Sequence, residues 1–163
     1  MIAFKCSPRV LALDPTSRGL GVVVFESPTL PIEWGVRELR DNKDARCLAL
    51  VTDLLDRFQP DVLVLEDTAH PSCRRCARVR ILIDSIRPLA LSRKVSVVSV
   101  NREQVLKGLG ADTKHQAATR IAARLPELAP LLPPLRKPWM SEDPKMSLFD
   151  AAAFALTFYQ SIH

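Results

Sequence analysis

Residues 10–26, VLALDPTSRGLGVVVFE, contain the pattern that decides the fold. The first four residues form a short apolar run, which is typical of a strand buried on both faces. Asp14 follows directly, Pro15 removes a backbone donor, and residues 16–19 have the composition of a turn before the apolar pattern resumes. The stretch therefore predicts a β-hairpin that carries a carboxylate near its bend, with the first strand ending at Asp14 and Pro15.

Asp14 has two interpretations. An aspartate before proline commonly caps a turn, and this stretch alone favours that interpretation. However, a carboxylate at the end of a buried strand has a high desolvation cost unless a cation or hydrogen bonds meet it. Asp14 is therefore also a candidate site residue.

The bulk composition is that of an ordinary globular chain. Its 163 residues fit a single domain, residues 1–163, with enough chain to bury a sizeable core. Apolar residues make up 47% and charged residues 25% of the chain, and no apolar run approaches the length of a membrane span. The first ten residues lack the pattern of a secretory signal. We expect a cytoplasmic protein that does not associate with membranes.

The charge balance favours a polyanionic partner. Lysine and arginine number 23 against 18 acidic residues, which gives a net charge of +5 and a pI near 9.3. Many of the basic residues are clustered in the sequence, although they could also simply solvate an outer helix face. The candidates for contact with nucleic acid are Arg18, Arg74, Arg75, Arg78, Lys114, Arg136 and Lys137.

After the hairpin, strand and helix patterns alternate, which predicts an α/β fold. A strand that follows a helix is most simply parallel to an existing strand, so we expect a mixed five-stranded sheet flanked by helices. Its first three strands form an antiparallel meander, and the later strands are parallel. The predicted elements after the hairpin are strands at 32–39, 61–66 and 94–100, helices at 45–58, 72–91, 102–107 and 113–124, a proline-rich loop at 126–144, and a last helix capped by Asp143 and opened by Pro144. Pro88 is expected to kink or end the second helix.

Two further acids lie at the edges of apolar elements. Glu66 closes a short apolar strand predicted to lie beside the first, so its charge and that of Asp14 would repel unless a divalent cation lay between them. Asp150 interrupts the apolar face of the last helix, where the alternative is a surface aspartate. Carboxylates from two strand ends and a facing helix suit hard divalent cations that activate water for phosphodiester hydrolysis.

The order of these elements and acids resembles the RuvC-like Holliday junction resolvases of the ribonuclease H-like superfamily. Residues 13–21, LDPTSRGLG, resemble that family's first-strand motif, residues 64–66, VLE, its second, and residues 149–156, FDAAAFAL, its last. The resemblance implies a ribonuclease H-like fold and a metal-dependent, structure-selective endonuclease that cleaves branched DNA in recombination and repair. It also implies Mg²⁺ or Mn²⁺, two ions in all, held by the catalytic residues Asp14, Glu66 and Asp150. Resolvases of this kind act as homodimers, and the helix predicted at 72–91 is the candidate interface.

Two positions depart from the family's pattern. Thr16 stands where a glycine is usual, and Ser147 stands where a second acid or a histidine is usual. A hydroxyl is a weak ligand for magnesium, so the fourth ligand position stays open between Ser147 and acids of the preceding loop such as Asp143 and Glu142. Asp67 follows Glu66 but points to the opposite face of a strand.

Three alternative functions follow. A nuclease of the YqgF type, which processes ribosomal RNA precursors, shares the fold, and Ser147 motivates a junction-binding protein without catalysis. An ATPase of the actin type also begins with a strand, an aspartate and a hairpin. The chain is too short for that ATPase, and Thr16 replaces the glycine that a close phosphate needs.

The closest pair of cysteines is Cys73 and Cys76, which follow His70. Three such side chains could bind zinc, but a structural zinc site usually has a second matching pair, and none follows in the sequence. Small buried side chains and a redox pair are the favoured alternatives.

Overall fold

The computed structural model describes residues 7–163. Residues 1–6, which are part of the segment that argues against a secretory signal, lie outside the described range. The strands are β1 (Val10–Pro15), β2 (Gly19–Ser27), β3 (Leu30–Glu38), β4 (Val62–Glu66) and β5 (Ser96–Val100). The helices are α1 (Lys43–Phe58), α2 (Ala77–Ser92), α3 (Arg102–Leu109), α4 (Lys114–Arg124) and α5 (Met146–Ser161).

The five strands form one sheet in the order β3-β2-β1-β4-β5. The pairs β1–β2 and β2–β3 are antiparallel, whereas β1–β4 and β4–β5 are parallel. Every residue of the two central strands, β1 and β4, is buried, which explains their unbroken apolar runs. The predicted mixed sheet, with its antiparallel meander and parallel strands, is confirmed.

Helices cover both faces of this sheet. Leu11, Leu13 and their neighbours on β4 pack against α1 and α2, whereas Val10 and Ala12 face α3, α4 and α5. Because side chains alternate along a strand, Asp14 lies on the same face as Ala12. The same alternation places Glu66 on the face of Val64. Both acids therefore point toward the layer that contains α5.

Helix α5 is buried along most of its length. From Met146 to Tyr159 every residue except Thr157 is buried, so the helix has no wide polar face. Its alanines allow close contact with the sheet, and the hydroxyl of Tyr159 donates a hydrogen bond to the carbonyl of Pro8 at 2.6 Å. Polar side chains on α5 are therefore held inside the protein.

Strand β1 ends at Pro15, as predicted from the sequence. Asp14 pairs with Gly21, and Pro15 pairs with Leu20 at the end of the ladder. Proline is tolerated at this last position since it removes a single donor at the end of the strand. The turn is closed by Thr16, whose hydroxyl accepts hydrogen bonds from the backbone N–H of residues 18 and 19, at 3.2 and 3.1 Å.

Helix α2 begins later than predicted, at Ala77 instead of Ser72. Residues 67–76 form a loop, because the side chain of Arg80 supplies partners for its backbone. Its guanidinium donates to the carbonyls of Thr68, Cys73 and Arg75 at 2.9 to 3.0 Å. Arg74 and Arg75 thus lie on a loop, not on a helix face.

Pro88 lies inside α2 and does not end it, because the helix continues to Ser92. Ile86 and Ala90, on either side of the proline, are fully buried. Their packing outweighs the one backbone hydrogen bond that proline removes.

The predicted helix caps agree with the structure in most places. Asn101 and Gln104 form a capping box on α3, and Thr113 caps α4. Asp143 accepts a hydrogen bond from the N–H of Lys145 at 2.9 Å, although α5 begins only at Met146. Between α4 and α5 the chain is irregular except for one 3-10 turn. Within residues 7–163, no helix has the length and hydropathy needed to span a membrane.

Candidate active site

Asp14 and Glu66 lie side by side at one end of the sheet. The parallel register pairs Ala12 with Val64, and each acid lies two residues further along its strand. Both carboxylates are buried, with 0% and 1% of their residue surface exposed. Two like charges in such surroundings require compensation by cations or hydrogen bonds.

Asp150 faces this pair from α5 and is also buried. Burial raises the pKa of Asp150, and the charge of Asp14 raises it further, whereas Lys114 and Arg102 lower it without offsetting the rise. The fold therefore brings the three acids predicted from the sequence to one place. They form what we call the carboxylate cluster, defined by Asp14, Glu66 and Asp150.

Ser147 lies one helical turn before Asp150. Its hydroxyl lies 2.8 Å from Asp14 Oδ2 and 2.9 Å from the backbone oxygen of Asp14. Gly21, which pairs with Asp14, packs against Ser147 so closely that a Cβ there would lie 2.3 Å from its carbonyl oxygen. Ser147 thus positions the Asp14 carboxylate, and the close packing of α5 on β2 requires glycine at position 21.

Arg75 fills the space between two of the carboxylates. Its Nη2 forms an ion pair with Asp14 Oδ1, and its Nε donates to Glu66 Oε1 at 2.8 Å. The remaining nitrogen, Nη1, donates to the carbonyl of Pro15 at 2.6 Å. Only 11% of the Arg75 side chain is exposed. The sequence predicts Arg75 on a solvated helix face, whereas the structure places it in the centre of the cluster.

Two further cations contact the cluster from the α3 and α4 side. Arg102 Nη2 lies 3.2 Å from Glu66 Oε1, and its Nη1 lies 3.5 Å from Asp150 Oδ1. Lys114 Nζ lies 3.0 Å from Asp150 Oδ2 and 2.9 Å from Oε1 of Glu142. Lys114, a sequence candidate for contact with nucleic acid, thus directs its ammonium to the buried acid. Three basic side chains thus compensate the three carboxylates.

Neighbouring carboxylates raise the pKa of Arg75, Arg102 and Lys114 above their usual values despite burial. Although burial by itself lowers the pKa of Arg75, the charges of Asp14 and Glu66 raise it above its usual value. Burial likewise lowers the pKa of Lys114, but the charge of Asp150 and the contact with Glu142 more than offset this effect. The positive charge of these three side chains therefore offsets part of the cost of burying carboxylates in the cluster.

The donor atoms suit a hard divalent cation, but their present arrangement is closed by arginine. Carboxylate oxygens are the ligands that Mg²⁺ and Mn²⁺ prefer, and Glu66 Oε2 is buried without a hydrogen-bond partner in the described chain. Across residues 7–163, however, no three His, Cys, Asp or Glu side chains are grouped so that they could hold a metal ion. The ligand chemistry thus fits a hard divalent cation, whereas the gap between Asp14 and Glu66 is occupied by the Arg75 guanidinium.

The other sequence candidates lie around this cluster. Arg18 is exposed and donates to the carbonyl of Glu142 at 2.8 Å, so the β1–β2 turn contacts the loop that precedes α5. Asp143 caps the turn before α5, and Asp67 accepts from the N–H of Ala69 within its own loop. The remaining candidates lie on the surface: Arg74 is exposed, Arg78 pairs with Asp44, Arg136 donates to the carbonyl of Met140, and Lys137 lies over the Trp139 ring at 5.4 Å.

Sequence reasoning missed Arg102 and Arg80 as parts of the site. Arg102 is the first residue of α3, immediately after the cap that follows β5, so its position at the carboxyl edge of a parallel strand was the available signal. No sequence pattern indicates the role of Arg80, because its hydrogen bonds depend on the path of the loop at residues 67–76. Glu142, a sequence candidate for the fourth metal ligand, pairs with Lys114 instead.

The cysteine pair lies in the loop that carries Arg75. Cys73 is buried and Cys76 is exposed, and both are free thiols. His70 Nδ1 lies 2.8 Å from the hydroxyl of Ser72. The three side chains therefore have different surroundings instead of facing a common centre.

No sequence-family model matches the chain, and no curated protein matches it in sequence. Solved structures do match in fold. A structure of Thermus thermophilus RuvC in complex with a Holliday junction substrate is 22% identical, covers 95% of this chain and 96% of its own, and has a TM-score of 0.68. A second T. thermophilus RuvC structure is 22% identical, with 94% and 96% covered and a TM-score of 0.65.

The yeast mitochondrial Holliday junction resolvase matches over 95% of this chain and 80% of its own, at 16% identity and a TM-score of 0.62. All three matches extend over nearly the whole chain. The chain therefore has a RuvC-like fold of the ribonuclease H-like type.

Proposed function

We propose that this protein is a divalent-metal-dependent, structure-selective endonuclease that cleaves branched DNA. The observation that carries the proposal is the convergence of Asp14, Glu66 and Asp150 at one end of the sheet. The fold supports the choice of substrate, because it is shared with a RuvC structure that contains a Holliday junction. The proposed role is phosphodiester hydrolysis in recombination and repair.

Asp14, Glu66 and Asp150 would hold Mg²⁺ or Mn²⁺, with two ions proposed as in the sequence analysis. When bound, such ions activate water at neutral pH and neutralise charge that develops on the phosphate. Ser147 would keep Asp14 in position, since its hydroxyl already contacts the carboxylate. The Asp143 carboxylate accepts a hydrogen bond from the N–H of Lys145 and caps the turn before α5, so it is not among the proposed ligands.

Lys114 is the cation best placed to meet a scissile phosphate. Its side chain is 37% exposed, whereas Arg102 and Arg75 are 20% and 11% exposed. It contacts Asp150 on one side and Glu142 on the other. A phosphate oxygen arriving from solvent could therefore replace Glu142 as its partner while Asp150 keeps the ammonium oriented.

The segment between α4 and α5 forms a second contact surface for DNA. Trp139 is 78% exposed, and Lys137 lies over its ring. Exposed aromatic rings beside cations bind unpaired bases by stacking, so this pair would contact bases that unpair at a branch point. Arg18 and Glu142 line one cleft together with Ser147, which contacts Asp14, so a strand in this cleft would pass next to the cluster.

A homodimer would match the two-fold symmetry of a four-way junction. The helix predicted from the sequence as an interface, α2, exposes two large apolar side chains, Ile81 at 66% and Leu91 at 61%. We infer that α2 contributes to dimer contacts. Analytical ultracentrifugation of the wild type and of an Ile81→Glu variant tests this, because a charge at the interface should shift the dimer toward monomer.

The function is tested by cleavage assays on a four-way DNA junction, a linear duplex and an RNA hairpin, each with Mg²⁺, Mn²⁺ or EDTA. The expected result is cleavage of the junction only when metal is present. Asp14→Asn should abolish cleavage but keep junction binding, whereas the exposed Asp112→Asn should cleave normally. Full activity in Asp14→Asn would contradict the mechanism, and cleavage of the RNA alone would favour the RNA-processing alternative.

A second candidate function is junction binding without cleavage. The observation in its favour is that Arg75 and Ser147 already occupy the oxygens of Asp14. A protein of this kind would bind the junction in EDTA as tightly as in Mg²⁺ and would leave it intact in both. The same assay therefore separates the two candidates.

A further inference from the structure

Arg75 and a divalent cation would use the same oxygens. The guanidinium takes Asp14 Oδ1 and Glu66 Oε1, while the hydroxyl of Ser147 takes Asp14 Oδ2. Among residues 7–163, Glu66 Oε2 is the carboxylate oxygen of this pair that has no hydrogen-bond partner. Metal–oxygen bonds to Mg²⁺ are only about 2.1 Å long, so an ion shared by Asp14 and Glu66 cannot lie beside the guanidinium in the same gap.

The arginine is held in this gap by the surrounding structure. All three of its nitrogens donate, and the third contact, to the Pro15 carbonyl, anchors the fork to β1. The planar fork of arginine matches two carboxylates in a way that lysine cannot. The loop that carries it is fixed in turn by Arg80, which donates to the backbone oxygen of Arg75 itself and to two other carbonyls of the same loop.

We propose that Arg75 is a built-in competitor of the metal, which keeps the carboxylate cluster closed until its guanidinium leaves the gap. The inference rests on the proposed function, because it assumes that a divalent cation binds to Asp14 and Glu66. It goes beyond that function because it states that one side chain, Arg75, sets how tightly the cluster binds the metal. In this state the protein binds metal weakly, and removal of the guanidinium strengthens binding.

The size of the effect follows from the fraction of time for which the gap is open. Apparent affinity falls in proportion to the population of the competent state, so a gap that is open about one-tenth of the time weakens binding about tenfold. Replacement of Arg75 by a neutral side chain of similar length should therefore lower the dissociation constant for Mn²⁺ by about tenfold or more. Lysine, which keeps the charge but lacks the fork, should give an intermediate value.

The experiment is a titration of Mn²⁺ into the full chain, without DNA, followed by the electron paramagnetic resonance signal of the free ion. The variants are wild type, Arg75→Met, Arg75→Lys, the matched control Arg74→Met, and Asp14→Asn. Arg74 is the exposed neighbour of Arg75 in the same loop, so its removal changes the net charge equally. Thermal melting with and without Mn²⁺ provides a second readout, since a ligand of the folded state raises the melting temperature.

We expect Arg75→Met to bind Mn²⁺ at least about tenfold more tightly than wild type, with a larger thermal shift, while Arg74→Met binds like wild type. Asp14→Asn should bind weakly. If Arg75→Met does not fold without metal, Arg75→Lys carries the test, and an affinity equal to or below that of wild type overturns the proposal. An equal gain in Arg74→Met would also overturn it, because the effect would then be one of net charge.

These results are separable from the test of the proposed function. If wild type cleaves junctions with metal and Arg75→Met shows no gain in affinity, the competitor role is wrong and the function stands. If Arg75→Met gains affinity but no variant cleaves DNA, the competitor role stands and the nuclease proposal is wrong.

Discussion

Gly21 of β2 and Ser147 of α5 are in backbone contact, and a Cβ at position 21 would lie 2.3 Å from the Ser147 carbonyl oxygen. This contact determines how closely α5 approaches the sheet, and therefore how near Asp150 lies to Asp14. The glycine is required here by close packing and not by an unusual backbone conformation.

Gly21→Ala should strongly destabilise the protein. The atoms in its way belong to the backbone of a buried helix, so relief of the clash requires α5 to move away from the sheet. We expect a loss of about 3 kcal/mol or more in the free energy of unfolding, at the upper end of the cost of overpacking. Urea denaturation measures this change.

Gly108→Ala is the matched control. Its added Cβ would meet the end of the Gln160 side chain, which can rotate away, and its position lies inside α3. Alanine is favoured over glycine in a helix by about 1 kcal/mol. A loss of stability in Gly108→Ala as large as in Gly21→Ala would mean that contact with Ser147 is not the cause.

Ser147→Ala should destabilise the protein by about 1–3 kcal/mol, because it removes a hydrogen-bond donor from a buried carboxylate. The hydroxyl contacts Asp14 Oδ2 at 2.8 Å, and both residues are buried. Urea denaturation in EDTA is the measurement. Ser85→Ala, which removes an exposed helix hydroxyl bonded to the Ile81 carbonyl, should change stability little; equal losses in both variants would contradict a special role for Ser147.

Asp150→Asn should stabilise the metal-free protein at neutral pH. An acid whose pKa is raised in the folded state ionises first in the unfolded chain, so its contribution to stability falls as pH rises above the usual value of 3.8. The fall ends once the folded carboxyl has ionised. Asparagine does not ionise, so the free energy of unfolding of the variant does not decrease in this way. Asp150→Asn should therefore be as stable as wild type near pH 3 and more stable at pH 7.

Urea denaturation in EDTA across this pH range, with wild type beside Asp150→Asn, tests the expectation. The exposed Asp112→Asn serves as control, and its difference from wild type should not follow the same pH dependence. The expectation would be wrong if wild type were more stable than Asp150→Asn at pH 7. The ion pairs with Lys114 and Arg102 would then stabilise the Asp150 carboxylate by more than its burial costs.

Cys76 should react with iodoacetamide in the folded protein, whereas Cys47 and Cys73 should react only after unfolding. Cys76 is exposed and the other two are buried. Burial, with a smaller contribution from Asp44, raises the pKa of Cys47 to about 11, so little reactive thiolate forms at pH 8. Peptide mapping by mass spectrometry identifies the labelled residue, and rapid labelling of Cys73 would contradict the loop conformation that holds Arg75.

Most of the fold could be predicted from local patterns. The apolar runs of β1 and β4 and the helical period of α1 and α4 specify their elements because burial acts on each stretch separately. The start of α2 could not be predicted, since the arginine-rich stretch before it is compatible with a helix. It becomes a loop because the side chain of Arg80 satisfies three of its carbonyls.

The three acids of the candidate site could also be recognised from the sequence, because each interrupts a run of apolar residues at the end of a strand or on a buried helix. The cations that compensate their charges could not be recognised from the sequence. Arg75 reaches Asp14 across 61 residues of chain, and Arg102 reaches Asp150 across 48. Pairing over such distances depends on the path of a loop and on the position of α3, and neither leaves a periodic signal. The sequence therefore determines where the buried carboxylates lie, whereas the tertiary structure alone decides which cations meet them, because charge compensation depends on distance in space.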